Sequence, residues 1–325
     1  MDVSEIVTAF GAYYENSGQN QKRILGLLSQ GLVLPQYCTP IKTDDTIFRL
    51  GQLTMASLVQ PFQKAWTPKN ASAITPNEVR QYKMKLDEDM DPDDVEATWL
   101  GFLSSESVKR AEWPLIKFLI EHSEQGIIAK INEDMELKVY GHGVYKAPAP
   151  GTAGDPEDSM DGLIKLLQDG VNDETINAIN IGSLDKDTIF DQIEDFVDGI
   201  SQVYQNVKMN LFMSPYWAKM YHRDKRGQGF YQISSDSDVR NTIDFSPQQV
   251  VGVPALTGSD VIFCTPKANL LHLTKKSANK NKFKLEESKR NVSILADWWE
   301  GLGFGMNAAV WTNLQKETGS AGASV

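Results

Sequence analysis

The sequence is poor in cysteine: Cys38 and Cys264 are the only two, and they lie far apart in the 325 residues. Two distant cysteines favour free thiols in a reducing compartment over a disulfide scaffold. Long apolar runs are also missing. No stretch approaches the roughly 18 consecutive apolar residues of a transmembrane helix, so we expect no membrane partner. The segment MDVSEIV is acidic and has no basic cluster, so we expect no secretory signal there.

Positive charge is also in short supply, since 32 lysines and arginines face 43 aspartates and glutamates, for a formal net charge of -11. A protein whose main task is to hold DNA phosphates is normally basic. The acidity therefore argues against tight nonspecific DNA binding and favours solubility at high concentration. A hydrophobic fraction of 41% fits an ordinary globular protein with one large domain or two modest ones.

Familiar catalytic motifs are missing too. The sequence has no GxSxG elbow, no GxxxxGK[ST] phosphate loop and no HExxH zinc motif. The glycines of Gly301–Gly305 lack the following helix and the acidic residue about 20 positions later that a dinucleotide site needs. We interpret them as glycines that ease strand packing. We predict no catalytic, cofactor-binding or metal-ligating residue, and no enzymatic activity.

Isolated chemical groups are interpreted as structural. Four alternating aspartates resemble the start of a calcium loop, but Pro92 and Thr98 occupy the positions that need Gly and Glu. We interpret these aspartates as an acidic turn before a helix: Asp87, Asp89, Asp91 and Asp93. The four histidines show no metal-ligand spacing: His122, His142, His222 and His272. Cys264 follows an apolar run and is interpreted as a small buried hydrophobic residue.

Two features stay open between a structural and a binding interpretation. The segment Lys275–Lys284 holds five lysines. It suits a solvated loop, or electrostatic contact with nucleic acid or with an acidic neighbouring subunit. The tryptophans suit anchors in the core or in a subunit interface, with a stacking platform for bases as the alternative: Trp298, Trp299 and Trp311.

A long hairpin is predicted between Met55 and Met90. The stretches SLVQPFQKAWT and EVRQYKMKL have the pattern of strands, and the turn-rich PKNASAITPN separates them. The second stretch alternates two sets of side chains, Val79, Gln81, Lys83 and Lys85 against Arg80, Tyr82, Met84 and Leu86. A short helix is the alternative, because Thr75–Glu78 has capping-box spacing with Pro at the first helical position. An isolated hairpin is marginal in water, so this one would need a partner surface.

The N-terminal half otherwise predicts an arm and helices. The first 35 residues have the pattern of an arm, and Pro35 and Pro40 predict extended backbone after it. Acidic residues at Asp91–Asp94 favour the start of a helical region. The longest predicted helix is Leu115–Val139, ended by Gly141 and Gly143, and its apolar residues line one face: Ile116, Ile120, Ile127, Ile131 and Met135.

The second half predicts an α/β region and then a strand-rich end. Residues 141–158 are dense in Gly and Pro and predict a loop or linker. Beyond it we predict these elements: a helix around Leu163–Leu167, a periodic helix from Ile189 to Val203, a buried strand over 208–213 and a helix that begins with Ser214 and Pro215. From Val250 to Thr312, apolar β-branched runs predict strands.

The order of these parts resembles the major capsid proteins of tailed bacteriophages, whose Hong Kong 97-type fold encapsulin shells share. The resemblance covers roughly residues 35–315. Residues 207–229, VKMNLFMSPYWAKMYHRDKRGQG, look like the strand–Pro–helix–Gly unit of the axial domain. Residues 250–276 look like the turn and strand that return to the peripheral domain, through these motifs: Gly252-Val-Pro254, Asp260-Val-Ile-Phe263 and Pro266-Lys-Ala-Asn-Leu270.

The resemblance implies an α+β fold divided into consecutive parts. These are an N-terminal arm at 1–40, an extended hairpin loop at 41–92, a spine helix with the first part of the peripheral domain at 93–149, an axial domain at 150–255, return strands with the second part of the peripheral domain at 256–315 and a disordered tail at 316–325. Some members of the family crosslink a loop lysine to a neighbour's asparagine. Lys64, Lys69 and Lys83 lie in the loop, but nothing marks one as reactive.

By the same resemblance, the chain would be a structural subunit of an icosahedral phage head that encloses double-stranded DNA. Its main partner would be itself, in hexamers and pentamers, with a portal protein and with scaffolding, protease and decoration proteins as further partners. Contact with packaged DNA would be weak. The location would be the virion, after assembly in the host cytoplasm. The alternatives are an encapsulin-type compartment and an α/β enzyme or ligand-binding protein.

Overall fold

The computed structural model describes residues 32–55, 59–69, 72–90, 127–229, 241–277, 283–288 and 291–317. Within these ranges, no helix combines the length and the apolar character needed to cross a membrane. The helices are α1 (Leu34–Tyr37), α2 (Ile127–Asp134), α3 (Tyr140–His142), α4 (Leu163–Asn172), α5 (Ile189–Asp198), α6 (Gln202–Gln205) and α7 (Pro215–Gly227). A π-helical turn, Met135–Val139, joins α2 to α3.

Strands and short 3-10 turns connect these helices. The strands are β1 (Thr39–Lys42), β2 (Ile47–Met55), β3 (Ser72–Arg80), β4 (Tyr82–Met90), β5 (Asn177–Ala178), β6 (Asn210–Met213), β7 (Gln249–Gly252), β8 (Phe263–Thr265), β9 (Leu270–Thr274), β10 (Phe283–Ser288), β11 (Asn291–Phe304) and β12 (Trp311–Thr312). The 3-10 turns are Pro156–Asp158, Pro254–Leu256, Lys267–Asn269 and Asn307–Ala309.

The first sheet is built around the 14-residue strand β11. Strand β4 runs antiparallel along β11, from Met90 opposite Val292 to Tyr82 opposite Glu300. Strands β10 and β9 are also antiparallel to β11, and β1 extends the sheet by pairing parallel to β9. The sheet therefore joins segments from the beginning, the first third and the end of the chain.

The second sheet has the strand order β5–β12–β8–β6–β7 and lies under helices α5 and α7. Its strand β6 pairs antiparallel with β8 and parallel with β7. A parallel pair needs a crossover, and α7 lies within the chain segment that connects β6 to β7. Strand β6 is buried along most of its length, as the sequence predicts for 208–213.

Two main hydrophobic cores hold the described residues together. The first packs α2, the π-helical turn and α4 against the first sheet, with large buried side chains that include Tyr140, Leu163, Leu167, Trp298 and Phe304. The second packs α5 and α7 against the second sheet, with buried side chains that include Phe190, Phe196, Tyr221, Cys264 and Trp311. The α+β class inferred from the resemblance is therefore confirmed, whereas the domain boundaries stay a prediction.

The long predicted helix is confirmed in its described half and extends further than predicted. Its residues Leu115–Gly126 lie outside the described ranges. From Ile127 the helical backbone continues through the π-helical turn to His142, and Gly143 ends it as predicted. Gly141 does not end the helix, contrary to prediction. The absence of a side chain at Gly141 lets the helix contact the 3-10 turn Pro254–Leu256, because a Cβ at Gly141 would lie 1.7 Å from the carbonyl oxygen of Ala255.

The predicted hairpin exists, but its strands differ from the prediction. The first strand is β2, which lies upstream of the predicted SLVQPFQKAWT, and β3 begins at Ser72, within the predicted turn. Residues 75–78 lie on β3, so the alternative of a short helix there is wrong. The predicted second strand divides at Gln81 into β3 and β4, so buried side chains change from odd-numbered to even-numbered positions there. Tyr82 and Met84 are buried on one side of β4, while Val79 is buried on β3.

Three further predictions are decided by local structure. Helix α5 ends at Asp198 rather than Val203, because Gly199 and Ser201 interrupt it before the short helix α6. Pro35 lies inside α1, so extended backbone there is wrong, whereas Pro40 lies on β1 as predicted. The cap at Ser214 is confirmed, since its hydroxyl accepts a hydrogen bond from the Trp217 amide at 3.3 Å.

Candidate assembly surfaces

The junction between the hairpin and the first sheet is a buried glutamine. Gln81 is 1% exposed, and its amide donates to the carbonyl of Thr46 at 2.8 Å. Its side-chain Nε2 donates to the carbonyls of Thr43 and Asp45, at 3.2 and 2.9 Å. These three bonds tie the β3–β4 junction to the β1–β2 connection. They explain why the chain leaves one sheet and enters another within a single residue.

Two glycines let β3 cross close to β11. A Cβ at Gly301 would lie 2.2 Å from the carbonyl oxygen of Arg80, and one at Gly303 would lie 2.5 Å from Val79 Cγ1. A side chain at either position would therefore displace the hairpin. Val79 instead packs into a small third core with Leu271 and Leu273, which anchors the base of the hairpin. The interpretation of these glycines as an aid to strand packing is confirmed.

The tip of the hairpin exposes large apolar side chains. We define the loop tip as residues 59–69, where the side chains of Val59, Phe62 and Trp66 are 88%, 92% and 90% exposed. Hydrogen bonds within the tip hold its ends together, from Lys69 Nζ to the Val59 carbonyl at 2.5 Å and from Gln60 Nε2 to the Thr67 carbonyl at 3.0 Å. Single exposed apolar residues are ordinary. Three in eleven residues on a projecting hairpin are typical of a docking surface.

A buried carboxylate holds the start of the described chain. The Glu136 side chain, on the π-helical turn, accepts backbone hydrogen bonds from Val33 at 3.0 Å and Leu34 at 3.1 Å. Burial raises the pKa of this carboxyl above its usual value, and the two N–H donors partly oppose the shift. Leu34 is fully buried. This role of Glu136 was not predicted from the sequence, where its position beside Met135 of the apolar helix face was the available signal.

A second buried carboxylate joins α3 to the first sheet. Tyr140 Oη donates to Glu300 Oε1 at 2.6 Å, and the Nε2 atom of His272 contacts the same oxygen. Burial and then the Glu300 charge raise the pKa of Tyr140 well above its usual value, so its hydroxyl remains a donor. Glu300 is 8% exposed. This arrangement fixes the end of the helix against β9 and β11 and leaves the carboxylate facing its partners rather than solvent.

The described histidines make structural contacts and do not form a metal site. His142 Nε2 lies 2.9 Å from the carbonyl oxygen of Thr257, and the His222 ring packs edge-on to Tyr221. His122 lies outside the described residues. Within the described ranges, no group of three or more His, Cys, Asp or Glu residues is arranged to hold a metal ion.

The predicted acidic turn is partly described. Asp87 and Asp89 lie on β4, where Asp87 pairs with Lys85 and Asp89 accepts a hydrogen bond from Ser293 at 2.5 Å. The interpretation of these two residues as a turn is therefore wrong. Asp91 and Asp93 lie outside the described residues.

Cys264 and two tryptophans are core residues, as interpreted from the sequence. Cys264 is fully buried on β8, and burial raises the pKa of its thiol. Trp311 is buried in the second core, and Trp298 is buried in the first. Trp299 lies next to Trp298 on β11, so its side chain points to the other face of the sheet. There the Nζ atom of Lys275 lies 3.5 Å from the centroid of the Trp299 ring.

The lysine segment is partly described. Lys275 also donates to Thr46 Oγ1 at 3.1 Å, so this lysine has contacts within the chain. Lys276 is exposed, Lys284 lies on β10, and Lys280 and Lys282 lie outside the described residues. Of the loop lysines, Lys83 pairs with Asp297 at 3.0 Å.

Comparison with known proteins relates the fold to capsid structures. No family model matches the sequence, and no curated protein sequence matches it. Solved structures do match. A chain of the satellite phage P4 procapsid including size determination (Sid) protein has a TM-score of 0.55 and 11% identity, covering 90% of this chain and 89% of that chain. The capsid of Myoviridae phage XM1 has a TM-score of 0.50 and 12% identity, covering 88% of this chain and 90% of that chain.

The chain has the Hong Kong 97-type capsid fold. The match extends over about nine-tenths of the chain, so it includes both sheets and the helices packed on them rather than one common motif. At 11% identity the likeness shows the fold alone. The loop tip of this fold carries three of the most exposed large apolar side chains among the described residues.

Proposed function

We propose that the chain is the structural subunit of an icosahedral head shell that encloses the double-stranded DNA of a tailed phage. The observation that carries the proposal is the capsid fold over 90% of the chain. The exposed loop tip supports it, because three large apolar side chains gain stability when a neighbouring copy covers them. Copies in hexamers and pentamers would join by heterologous contacts that close into rings.

The proposal assigns the chain a building role rather than a catalytic one. Its further partners would be a portal protein and, in some stage of assembly, scaffolding, protease and decoration proteins. Contact with packaged DNA would be weak, since the net charge of -11 repels phosphate. The subunit would be made in the host cytoplasm and would end in the virion.

Substitution of the loop tip tests the proposal. Trp66→Asp places a charge where the proposed contact needs an apolar ring, so we expect shell yield to fall about ten-fold or more, while the subunit stays folded because Trp66 is 90% exposed. Ala65→Asp is the matched control, since it adds the same charge to the same exposed loop and removes no ring. Size-exclusion chromatography and negative-stain microscopy measure yield, with a scaffolding protein supplied.

The outcomes separate the proposed function from its alternatives. Unchanged shell yield for Trp66→Asp would remove the loop tip from the assembly contacts. Only small folded oligomers from the unmodified chain would favour an α/β enzyme or ligand-binding protein instead. Closed shells that contain protein cargo and no DNA would favour an encapsulin-type compartment, which has the same fold.

A further inference from the structure

Helix α7 carries a row of basic residues on its outer face. We define the basic stripe as three cations and one tyrosine that recur at spacings of three and four, so that they share one side of the helix: Tyr216, Lys219, Arg223 and Arg226. All four are exposed, and the opposite side of α7 is buried against the second core. None of the three cations forms an ion pair with any residue in the described ranges.

Helix α5 carries the opposite charge on its outer face. We define the acidic stripe as three exposed residues at spacings of four and three: Asp191, Asp195 and Asp198. They lie opposite the buried face formed by Phe190, Ile193 and Phe196. Asp191 accepts a hydrogen bond from Gln228 Nε2 at 3.3 Å. Asp195 and Asp198 have no ion-pair partner among the residues that the structure describes.

The acidic stripe is unfavourable within a single subunit. Its carboxylates repel each other along the helix, and Asp198 lies in the last turn, where the helix dipole is negative and no basic residue compensates. Beside it, the pKa of Glu194 is raised, first by burial and then by Asp244, Asp191 and Asp198. The nearby Lys225 is paired with Asp244 at 2.7 Å. Lys225 partly opposes the raised pKa of Glu194, but no cation among the described residues forms an ion pair with the acidic stripe itself.

We propose that the basic stripe of one copy docks on the acidic stripe of the next copy around a ring. The inference rests on the proposed assembly function and names a contact for it. A heterologous contact pairs unlike surfaces, so one neighbour complements the basic stripe and the other complements the acidic stripe. Nucleic acid would complement the basic stripe alone and would be repelled by the acidic stripe. A second copy is thus the partner that accounts for both charges.

The residue types of the basic stripe suit such a contact. Tyr and Arg are enriched at the centres of protein interfaces, and Tyr216 is 54% exposed at one end of the stripe. Its ring packs edge-on against Trp217 at 5.1 Å between centroids, which holds it in place. Charge complementarity across an interface chiefly fixes partner and register. The stripes would therefore set which faces of neighbouring copies meet.

Charge reversal provides the test. One variant carries Lys219→Glu and Arg223→Glu, a second carries Asp195→Lys and Asp198→Lys, and a third carries all four substitutions. The first makes the net charge of -11 more negative and the second makes it less negative, so a bulk-charge effect would act on them in opposite directions. Shell yield is measured by negative-stain microscopy, and folding of each unassembled subunit by circular dichroism.

We expect both two-residue variants to lose about ten-fold or more of the shell yield, because each brings like charges together between copies. The four-residue variant restores complementarity and should recover closed shells. An equimolar mixture of the two-residue variants should recover rings in which they alternate. Alternation closes in even-membered rings and fails in five-membered ones, so the mixture should give six-membered rings and few closed shells.

Neutral variants keep the inference falsifiable if a charge-reversed chain does not fold. Lys219→Gln with Arg223→Gln should weaken the dependence of shell yield on salt between about 0.05 and 0.5 M, because fewer contacts are screened. Normal shell yield from a folded charge-reversed variant would overturn the inference and leave the proposed function standing. A charge-reversed variant that assembles normally but no longer binds a double-stranded DNA fragment would also overturn the inference. If the unmodified chain does not assemble, the proposed function itself fails.

Discussion

At the residue scale, one buried carboxylate fixes the beginning of the described chain. Glu136 is 5% exposed and accepts two backbone hydrogen bonds from the segment that contains Leu34. Its charge is nevertheless disfavoured by burial, which raises the pKa of the carboxyl above 4.5. The folded state therefore binds this proton more tightly than the unfolded chain does. The contribution of Glu136 is fully present below the unfolded pKa and is lost as pH rises through the folded pKa.

The substitution Glu136→Gln tests this direction of the pH dependence of stability. The glutamine side chain does not titrate, so the free energy of unfolding of the unmodified subunit should fall relative to the variant as pH rises from about 4.5 through the raised pKa. Urea unfolding of unassembled subunits at a series of pH values measures the difference. Glu133→Gln removes an exposed carboxylate from α2 and serves as the control. A difference that is constant, or that grows in the opposite direction, would contradict the assignment.

At the scale of elements, the crossing of β3 over β11 determines where the hairpin projects. Gly303→Ala would place a methyl group against Val79 Cγ1, 2.5 Å away. We expect it to lower the free energy of unfolding by about 1–3 kcal/mol. Val79→Ala removes the two methyl groups that would be struck, so in that background the cost of Gly303→Ala should fall by about half or more. Urea unfolding of the two single variants and the double variant gives the coupling energy.

A matched substitution separates this clash from the general effect of replacing glycine. Gly154→Ala meets no heavy atom within 4 Å, so we expect little change in stability from it. Strictly additive effects of Gly303→Ala and Val79→Ala would show that the two strands are not in contact at this point.

Elements with local signals were predictable from the sequence, and elements set by distant contacts were not. The cap at Ser214 and the buried strand before it depend on residues within a few positions, and both were predicted. The break at Gln81 depends on the carbonyls of Thr43 and Asp45, which no local pattern reveals. For the same reason the first strand of the hairpin was placed downstream of β2. Phe62 and Trp66, which were assigned to that predicted strand, lie instead at the exposed tip.

The buried acids show the same limit at the candidate surfaces. Glu136 and Glu300 stand among apolar residues, and a sequence alone does not say which distant donors satisfy them. Glu300 is satisfied by Tyr140, 160 positions away. The basic stripe could have been predicted from the sequence, because helical spacing alone places Lys219, Arg223 and Arg226 on one side of α7.

At the scale of the whole molecule, order of elements carries more information than residue identity. The chain matches a procapsid structure over 90% of its length with 11% identity. The resemblance inferred from the sequence rested on the succession of hairpin, long helix, α/β region and returning strands. The same succession can occur with few identical residues because it fixes the topology of two sheets, whereas many side chains can fill the same cores.

Electron cryomicroscopy of purified particles would show whether this chain builds a closed shell. We expect closed icosahedral shells whose repeating density is this fold, with the loop tip covered by an adjacent copy. We also expect Val59, Phe62 and Trp66 to lose most of their exposure in the shell. A well-folded chain that forms only monomers or small discrete oligomers under assembly conditions, with a scaffolding protein supplied, would show that the chain is not a shell subunit.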